Sequence, residues 1–435
     1  MNLEEMKRHK GRHIMMFSVP AIIAMLLSAV VTVTDGYFVG NYVGKDGLAA
    51  VNLGLPIVYL MLACGLMTGV GGSVIAGILN GNGQKEKCRQ VFNQTIMTAL
   101  VVSTAMSLLI RLFFEAVGMF LGVDDALAAY FAGYYKIMLV YYPVMVLNSV
   151  CGMFIRAEGK PQFGMAVTII GVIVNVFFNG IFVHLGMEIE GIALASVVSG
   201  MVSLAMSVLF FVRSARTFRF EKFSFDSAVF WGTVMNGSSE FVGEMSSCIS
   251  MFCYNQVIMG LTGAAGVSAF AVAGYTVFVF SMVAIGFGQG MCPLVSFAYG
   301  AKAFGLAEDF RKLTGRIVFG AGVVFACLML FGLDSYGSLF VRDEAVRTMV
   351  REGVSFLSVS FLLMGFNIIA SMYFTACGKA LPSAVISVAR GIVILLICIF
   401  VLPLIFGMRG IWLAGPFTEI LSGGLTVLLL RRDRA

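Results

Sequence analysis

The sequence predicts an all-α membrane protein of twelve transmembrane helices in two pseudo-symmetric six-helix bundles, and three observations predict it. Of its 435 residues 59% are hydrophobic and only 12% charged, with a mean hydropathy of +0.96. A soluble domain carries roughly a quarter charged residues, so most of this surface is built for lipid rather than water. Apolar runs recur along the whole chain, each reaching the roughly 20 residues that one crossing of the hydrocarbon layer needs. The two halves also align with each other at a constant offset.

Taken in order, the runs place spans near residues 14–36, 49–79, 91–113, 129–153, 163–184 and 190–212, then 229–259, 265–298, 313–333, 347–374, 382–405 and 410–430. Several exceed one perpendicular crossing, which implies tilt or extension past the bilayer. The first run follows Lys7, Arg8, Lys10 and Arg12 as a signal peptide would. It is long and lacks a small-x-small cleavage pattern, so it reads as an uncleaved first helix.

Lys and Arg alternate between connections. One side collects the N-terminal group, Lys85, Lys87 and Arg89, Arg156 and Lys160, Arg213, Arg216, Arg219 and Lys222, Lys302, Arg311, Lys312 and Arg316, Lys379, and Arg431, Arg432 and Arg434. The other side holds Lys45, Arg111, Lys136, Arg342, Arg347, Arg351 and Arg409. That threefold bias puts both termini in the cytoplasm, which an even number of spans requires. The net charge of +6 therefore belongs to loop asymmetry and not to a nucleic-acid face.

A shift of 219 residues carries Gly47, Ala50, Gly69 and Gly81 onto Gly266, Ala269, Gly288 and Gly300. Under the same shift Asp124 falls on Asp343, Asn148 on Asn367, and Ala157, Gly159 and Lys160 on Ala376, Gly378 and Lys379. Six helices per copy start both copies on the same side, as parallel repeats. The polar stretch 213–226 is the linker, which gives an N-lobe of residues 1–218 with spans one to six and a C-lobe of 219–435 with spans seven to twelve. Two lobes of this kind can rock about a central cleft, as a transporter requires.

Ionisable groups inside spans are costly and usually face an internal cavity. Asp35 lies near the end of the first span, Glu240 and Glu244 one turn apart in the seventh, Arg390 in the eleventh and Glu419 in the twelfth. Two carboxylates on one helix face repel, and a proton held by one relieves the repulsion. The competing reading pairs them with Arg390, and Glu419 is left without a role. Asn175 and Asn179 share a face of the fifth span, Ser196 and Ser199 follow in the sixth, and Asn255 lies further along the seventh. Such oxygens suit a hard ion such as sodium at Asp35, Asn175 and Asn179, although hydrogen bonding between helices uses the same groups.

The nine cysteines lie mostly within apolar segments and form no C-x-x-C pair, and the three histidines form no ligand cluster. No phosphate loop, metalloprotease or nucleophile-elbow motif occurs, so the sequence encodes no recognised enzyme and no ATP motor.

Pro20, Asp35-Gly-Tyr-Phe-Val-Gly40 and Gly47-Leu-Ala-Ala50, Arg156-Ala-Glu-Gly-Lys-Pro161, and Asn175-x-x-x-Asn179 together resemble multidrug and toxic compound extrusion (MATE) transporters. Asn236-Gly-Ser-Ser-Glu240 looks most like the MepA-like branch. The resemblance spans nearly the whole chain. It implies a twelve-helix antiporter of the cytoplasmic membrane, monomeric and without a cofactor, that expels small amphiphilic organic cations in exchange for protons or sodium. It implies ion coupling at Asp35, Asn175, Asn179 and Ser199, and substrate or proton binding at Glu240; Glu244, Asn255 and Arg390 are further candidates for that binding from their place within the spans. Asn179 stands where many members carry an acid, which removes a charge, and no carboxylate lies between Val354 and Phe374. A lipid-linked oligosaccharide flippase of the wider superfamily is the alternative, and it would want a more cationic cleft than Arg390 alone supplies. An ion channel and a membrane enzyme are the remaining competitors, and neither has a supporting motif.

Overall fold

The computed structural model describes residues 3–341 and 343–433. Arg342 and Arg434, both part of the charge bias, lie outside them. Among the described residues eleven helices are long and apolar enough to cross a membrane. One of these, Ser227–Gly300, runs for 74 residues. At about 1.5 Å per residue that is about 110 Å, several times the thickness of a hydrocarbon core. Its backbone leaves helical geometry at Gly263, with φ 64° and ψ −155°, a conformation that the missing Cβ permits. The break yields two crossings and hence twelve in all.

We number the crossings α1 (Lys10–Val43), α2 (Leu55–Gly81), α3 (Lys85–Leu112), α4 (Asp125–Ala157), α5 (Pro161–His184), α6 (Ile189–Arg213), α7 (residues 227–262), α8 (264–300), α9 (Phe304–Phe331), α10 (Glu344–Ala376), α11 (Ala380–Phe406) and α12 (Met408–Arg432). Short helices Lys45–Leu53, Phe114–Phe120 and Leu333–Phe340 sit between crossings.

The offset of 219 persists in three dimensions. It carries both ends of α3 onto α9, of α4 onto α10 and of α6 onto α12. Asp124 caps α4 by accepting from the Leu127 N–H at 3.0 Å, and Asp343 caps α10 through the N–H groups of Ala345 and Val346. Each cap satisfies donors that the first helical turn leaves free. Asn148 donates to the Gly200 carbonyl at 2.9 Å, and its repeat partner Asn367 donates to the Glu419 carbonyl at 3.0 Å.

The chain divides into two compact units. The first comprises residues 23–241 and 300–302, and the second comprises 3–22, 242–299 and 303 onward. The start of α1 thus belongs to the second unit and the start of α7 to the first. Within the first unit Phe92, Phe154, Phe211 and Phe218 form one buried aromatic cluster, and Phe131, Tyr135 and Tyr142 anchor another. Within the second, Trp412 is fully buried among Val350, Val354 and Leu357.

Glycine brings backbones together at matching places. In the first unit a Cβ on Gly71 would lie 2.0 Å from the Thr233 carbonyl oxygen, and one on Gly237 would lie 1.9 Å from that of Met67. In the second unit a Cβ on Gly290 would lie 2.5 Å from the Ser18 Cα. The 219 offset relates Gly71 to Gly290 and Ser18 to Gly237. With no hydrophobic drive between helices in lipid, such close approach is a principal source of association.

Candidate functional site

Asp35 lies on the part of α1 that belongs to the first unit, one turn before the helix widens into a π-helical turn, Val39–Val43, that ends at Gly44. Its carboxylate is met from two neighbouring helices. The Asn179 amide of α5 donates to Oδ1 at 2.8 Å, and the Ser196 hydroxyl of α6 donates to Oδ2 at 3.2 Å. Asn179 also donates to the Asn175 Oδ1 at 3.2 Å, and the Asn175 amide donates to the Ser196 oxygen at 3.3 Å. Asn175 and Asn179 are essentially inaccessible, at 1% and 0% exposure.

The amides share a face because α5 places them one turn apart, and the pairing with Asp35 closes a chain of 144 residues. Hydrogen bonds to a carboxylate are among the stronger ones, and the two from Asn179 and Ser196 fix the orientation of the Asp35 side chain. The Asn179 Oδ1 is buried and has no donor. A buried acceptor without a partner beside a carboxylate is an opening for a cation or a proton-bearing group. The available oxygens are carboxylate, amide and hydroxyl, which match a proton or a hard monovalent ion. Among the described residues no group of three or more His, Cys, Asp or Glu could hold a metal.

The hydroxyl that reaches Asp35 is that of Ser196. Ser199, expected from the resemblance, donates instead to the Ser196 backbone carbonyl at 3.0 Å. Serine hydroxyls within a helix readily bond back to the carbonyl one turn earlier, and Ser199 does so here.

Arg390 sits within the second π-helical turn, Ala389–Val393 of α11. Its partner is Glu419 and neither Glu240 nor Glu244: Nε and Nη2 both reach Glu419 Oε1, at 2.8 and 2.7 Å. Glu419 Oε2 accepts from the Asn367 amide at 2.7 Å, and Thr426 donates to the Asn367 Oδ1 at 3.1 Å. Sequence reasoning left Glu419 without a role because its partners lie 29 and 52 residues away. The one available signal was that Asn367 repeats Asn148. Glu419→Gln leaves a guanidinium in the bundle with no counter-charge. It is expected to destabilise the folded protein by about 3 kcal/mol, and a second change, Arg390→Met, recovers most of that loss. Thermal unfolding in detergent measures both.

Glu240 and Glu244 are both half-buried on α7, but Glu240 falls in the first unit and Glu244 in the second. Asn255 is half-buried further along α7. All nine cysteines are free thiols.

Twelve crossings in two repeated halves, with a carboxylate bonded to amide and hydroxyl groups of two neighbouring helices, define a polytopic membrane protein of the transporter class. A family model described as MatE matches residues 20–181 and 242–401, one segment in each half. The chain belongs to the MATE family. The multidrug export protein MepA of Staphylococcus saprophyticus subsp. saprophyticus is 23% identical to it, over 97% of this chain and 94% of its own length. MepA of Staphylococcus aureus strain MRSA252 is 22% identical over the same shares. Among solved structures, that of a MATE protein in the bent conformation superposes with a TM-score of 0.92 at 20% identity, covering 97% of this chain and 95% of that one. An outward-facing multidrug resistance MATE family transporter of the MOP superfamily superposes at 0.91, with the same identity and coverage. These likenesses establish the fold.

Proposed function

We propose that this protein is a multidrug efflux antiporter that exports small amphiphilic organic cations in exchange for protons or sodium by rocker-switch alternating access. The observation that carries the reading is the Asp35 carboxylate, gathered with Asn175, Asn179 and Ser196 and, among the described residues, with no cationic side chain bonded to it. The relatives named as multidrug export proteins support the substrate class.

In this reading the protein works as a monomer in the cytoplasmic (inner) membrane with both termini inside, and its functional lobes are residues 1–218 and 219–435. Asp35 attracts the cation to be expelled, and a proton or sodium ion competes for the same oxygens. Exchange drives the conformational change only because each ligand binds the two states unequally. Asn175 and Asn179 supply uncharged oxygens, and Ser199 holds the α6 backbone beside Ser196. Glu240, Glu244 and Asn255 add polar groups on α7 for substrate or protons. The Arg390–Glu419 pair cancels its own charge, so it offers no cationic surface of the kind a flippase for lipid-linked oligosaccharides would use.

Dye efflux from proteoliposomes under separately imposed gradients tests the reading. A proton or sodium gradient, applied alone, accelerates efflux, and equal ion concentrations on both sides abolish it. Efflux indifferent to both gradients overturns antiport.

A further inference from the structure

The connection between α6 and α7 is fastened to the first unit by side chains. The Glu158 carboxylate accepts from three consecutive backbone N–H groups, those of Arg216, Thr217 and Phe218, at 2.8 to 3.2 Å. Asn93 of α3 donates to the Arg219 carbonyl at 2.9 Å and accepts from the Glu221 N–H at 3.2 Å. Gln94 brackets Asp226 in the same way, at 2.7 and 3.0 Å. Arg89 reaches both the Thr217 carbonyl and the Glu221 carboxylate. Phe218 is fully buried, against Phe92 and Phe154. These bonds turn a polar linker into a strap with a fixed register.

That register decides what the strap presents. Arg213, Arg216, Arg219 and Lys222 are all exposed, as are Lys85, Lys87 and Lys160 in the neighbouring connections of the same unit. The nearby carboxylates are largely committed: Glu158 to the backbone, Glu221 to Arg89 at 2.8 Å, and Asp226 to the Ala228 N–H. Glu86 is the remaining acid on the adjoining turn of α3. Some basic residues of the second unit are paired, Lys10 with Asp309, Lys312 with Glu308, and Lys379 with Asp433. Phe225 and Trp231, exposed at 67% and 59%, flank the basic stretch where α7 begins.

We propose that this docked strap is a binding surface for the headgroups of anionic phospholipids. It joins two membrane crossings, so the headgroup layer must pass beside it. Basic side chains next to exposed aromatic ones match that layer, with its negative phosphates above and its apolar boundary below. Because the strap is already ordered, contact costs little further conformational entropy. Each Lys or Arg near an anionic surface adds about fivefold to affinity at low ionic strength. The inference rests on the membrane fold and is independent of the transported substrate.

The test uses the purified full chain in neutral detergent, with quenching of tryptophan by dansyl-labelled phosphatidylglycerol or phosphatidylcholine as the readout. Trp231 lies beside the strap while Trp412 is buried in the second unit, so Trp231→Phe supplies the blank. Phosphatidylglycerol should half-saturate at a concentration about tenfold or more below phosphatidylcholine, and raised salt should erase the difference. The combined variant R213Q/R216Q/R219Q/K222Q should bind both lipids alike. Should that variant purify poorly, Arg216→Gln and Lys222→Gln taken singly should each reduce the preference about fivefold at low ionic strength. An undiminished preference in these variants overturns the proposal, as does signal that survives Trp231→Phe. Displacement of the lipid by equimolar inorganic phosphate or by a short RNA also overturns it, in favour of a soluble anion or a nucleic acid.

Discussion

Asp35→Asn is expected to abolish drug protection in a pump-deficient host while leaving a folded protein in the membrane. The replacement keeps the shape and the capacity to hydrogen-bond but removes the only formal charge in the cluster with Asn175, Asn179 and Ser196. Hydrogen bonds to a charged group contribute about 1.5–3 kcal/mol, so gradient-driven efflux should fall by about tenfold or more. Growth in graded drug concentrations and dye efflux from vesicles measure the two ends of the effect. Monodispersity in detergent separates it from misfolding. Asn179→Asp is the informative partner: it places a second carboxylate where an amide now donates to Asp35. Repulsion between the two acids should then be relieved by a bound cation. The expected outcome is a steeper dependence of efflux on sodium, and unchanged ion dependence would remove Asn179 from the coupling site.

The second large effect concerns packing. Gly290→Leu should reduce the thermal stability of the detergent-solubilised protein by about 3 kcal/mol or more, since the clash falls on backbone that cannot turn aside. The added Cβ would meet the Ser18 Cα at 2.5 Å and its N at 2.6 Å, before the rest of the side chain is placed. Gly71→Leu meets the Thr233 carbonyl oxygen in the corresponding way. Gly424→Leu serves as the control, because nothing lies within 4 Å of its would-be Cβ. If all three variants unfold at the same temperature as the parent, close backbone approach contributes nothing to helix association here.

Much of the candidate site was legible in the sequence, for a physical reason. In a chain with so few charges, a carboxylate within an apolar run is conspicuous, and an i, i+4 pair of amides shares a face in any helix. Asp35 and the Asn175–Asn179 pair could therefore each be picked out, and the family resemblance put them at one site before their contacts were known. The choice between Ser196 and Ser199 was not legible, because it depends on how α6 is rotated against α1. The Arg390–Glu419 bond was not legible either. Helical periodicity says which residues share a helix, but the pairing of α11 with α12 and the π-turn that aims Arg390 are products of packing.

The sequence by itself determined the solvent, the number of crossings and the duplication, since hydropathy and a 219-residue register are sums over many positions and survive low local identity. Even the break in the 74-residue helix has a local cause, a glycine at positive φ. Tertiary structure alone decided which oxygen faces Asp35, which acid neutralises Arg390, and that the linker is strapped down with its basic side chains outward. Each of these turns on the distance between atoms far apart in the chain, and only the packed bundle fixes that distance.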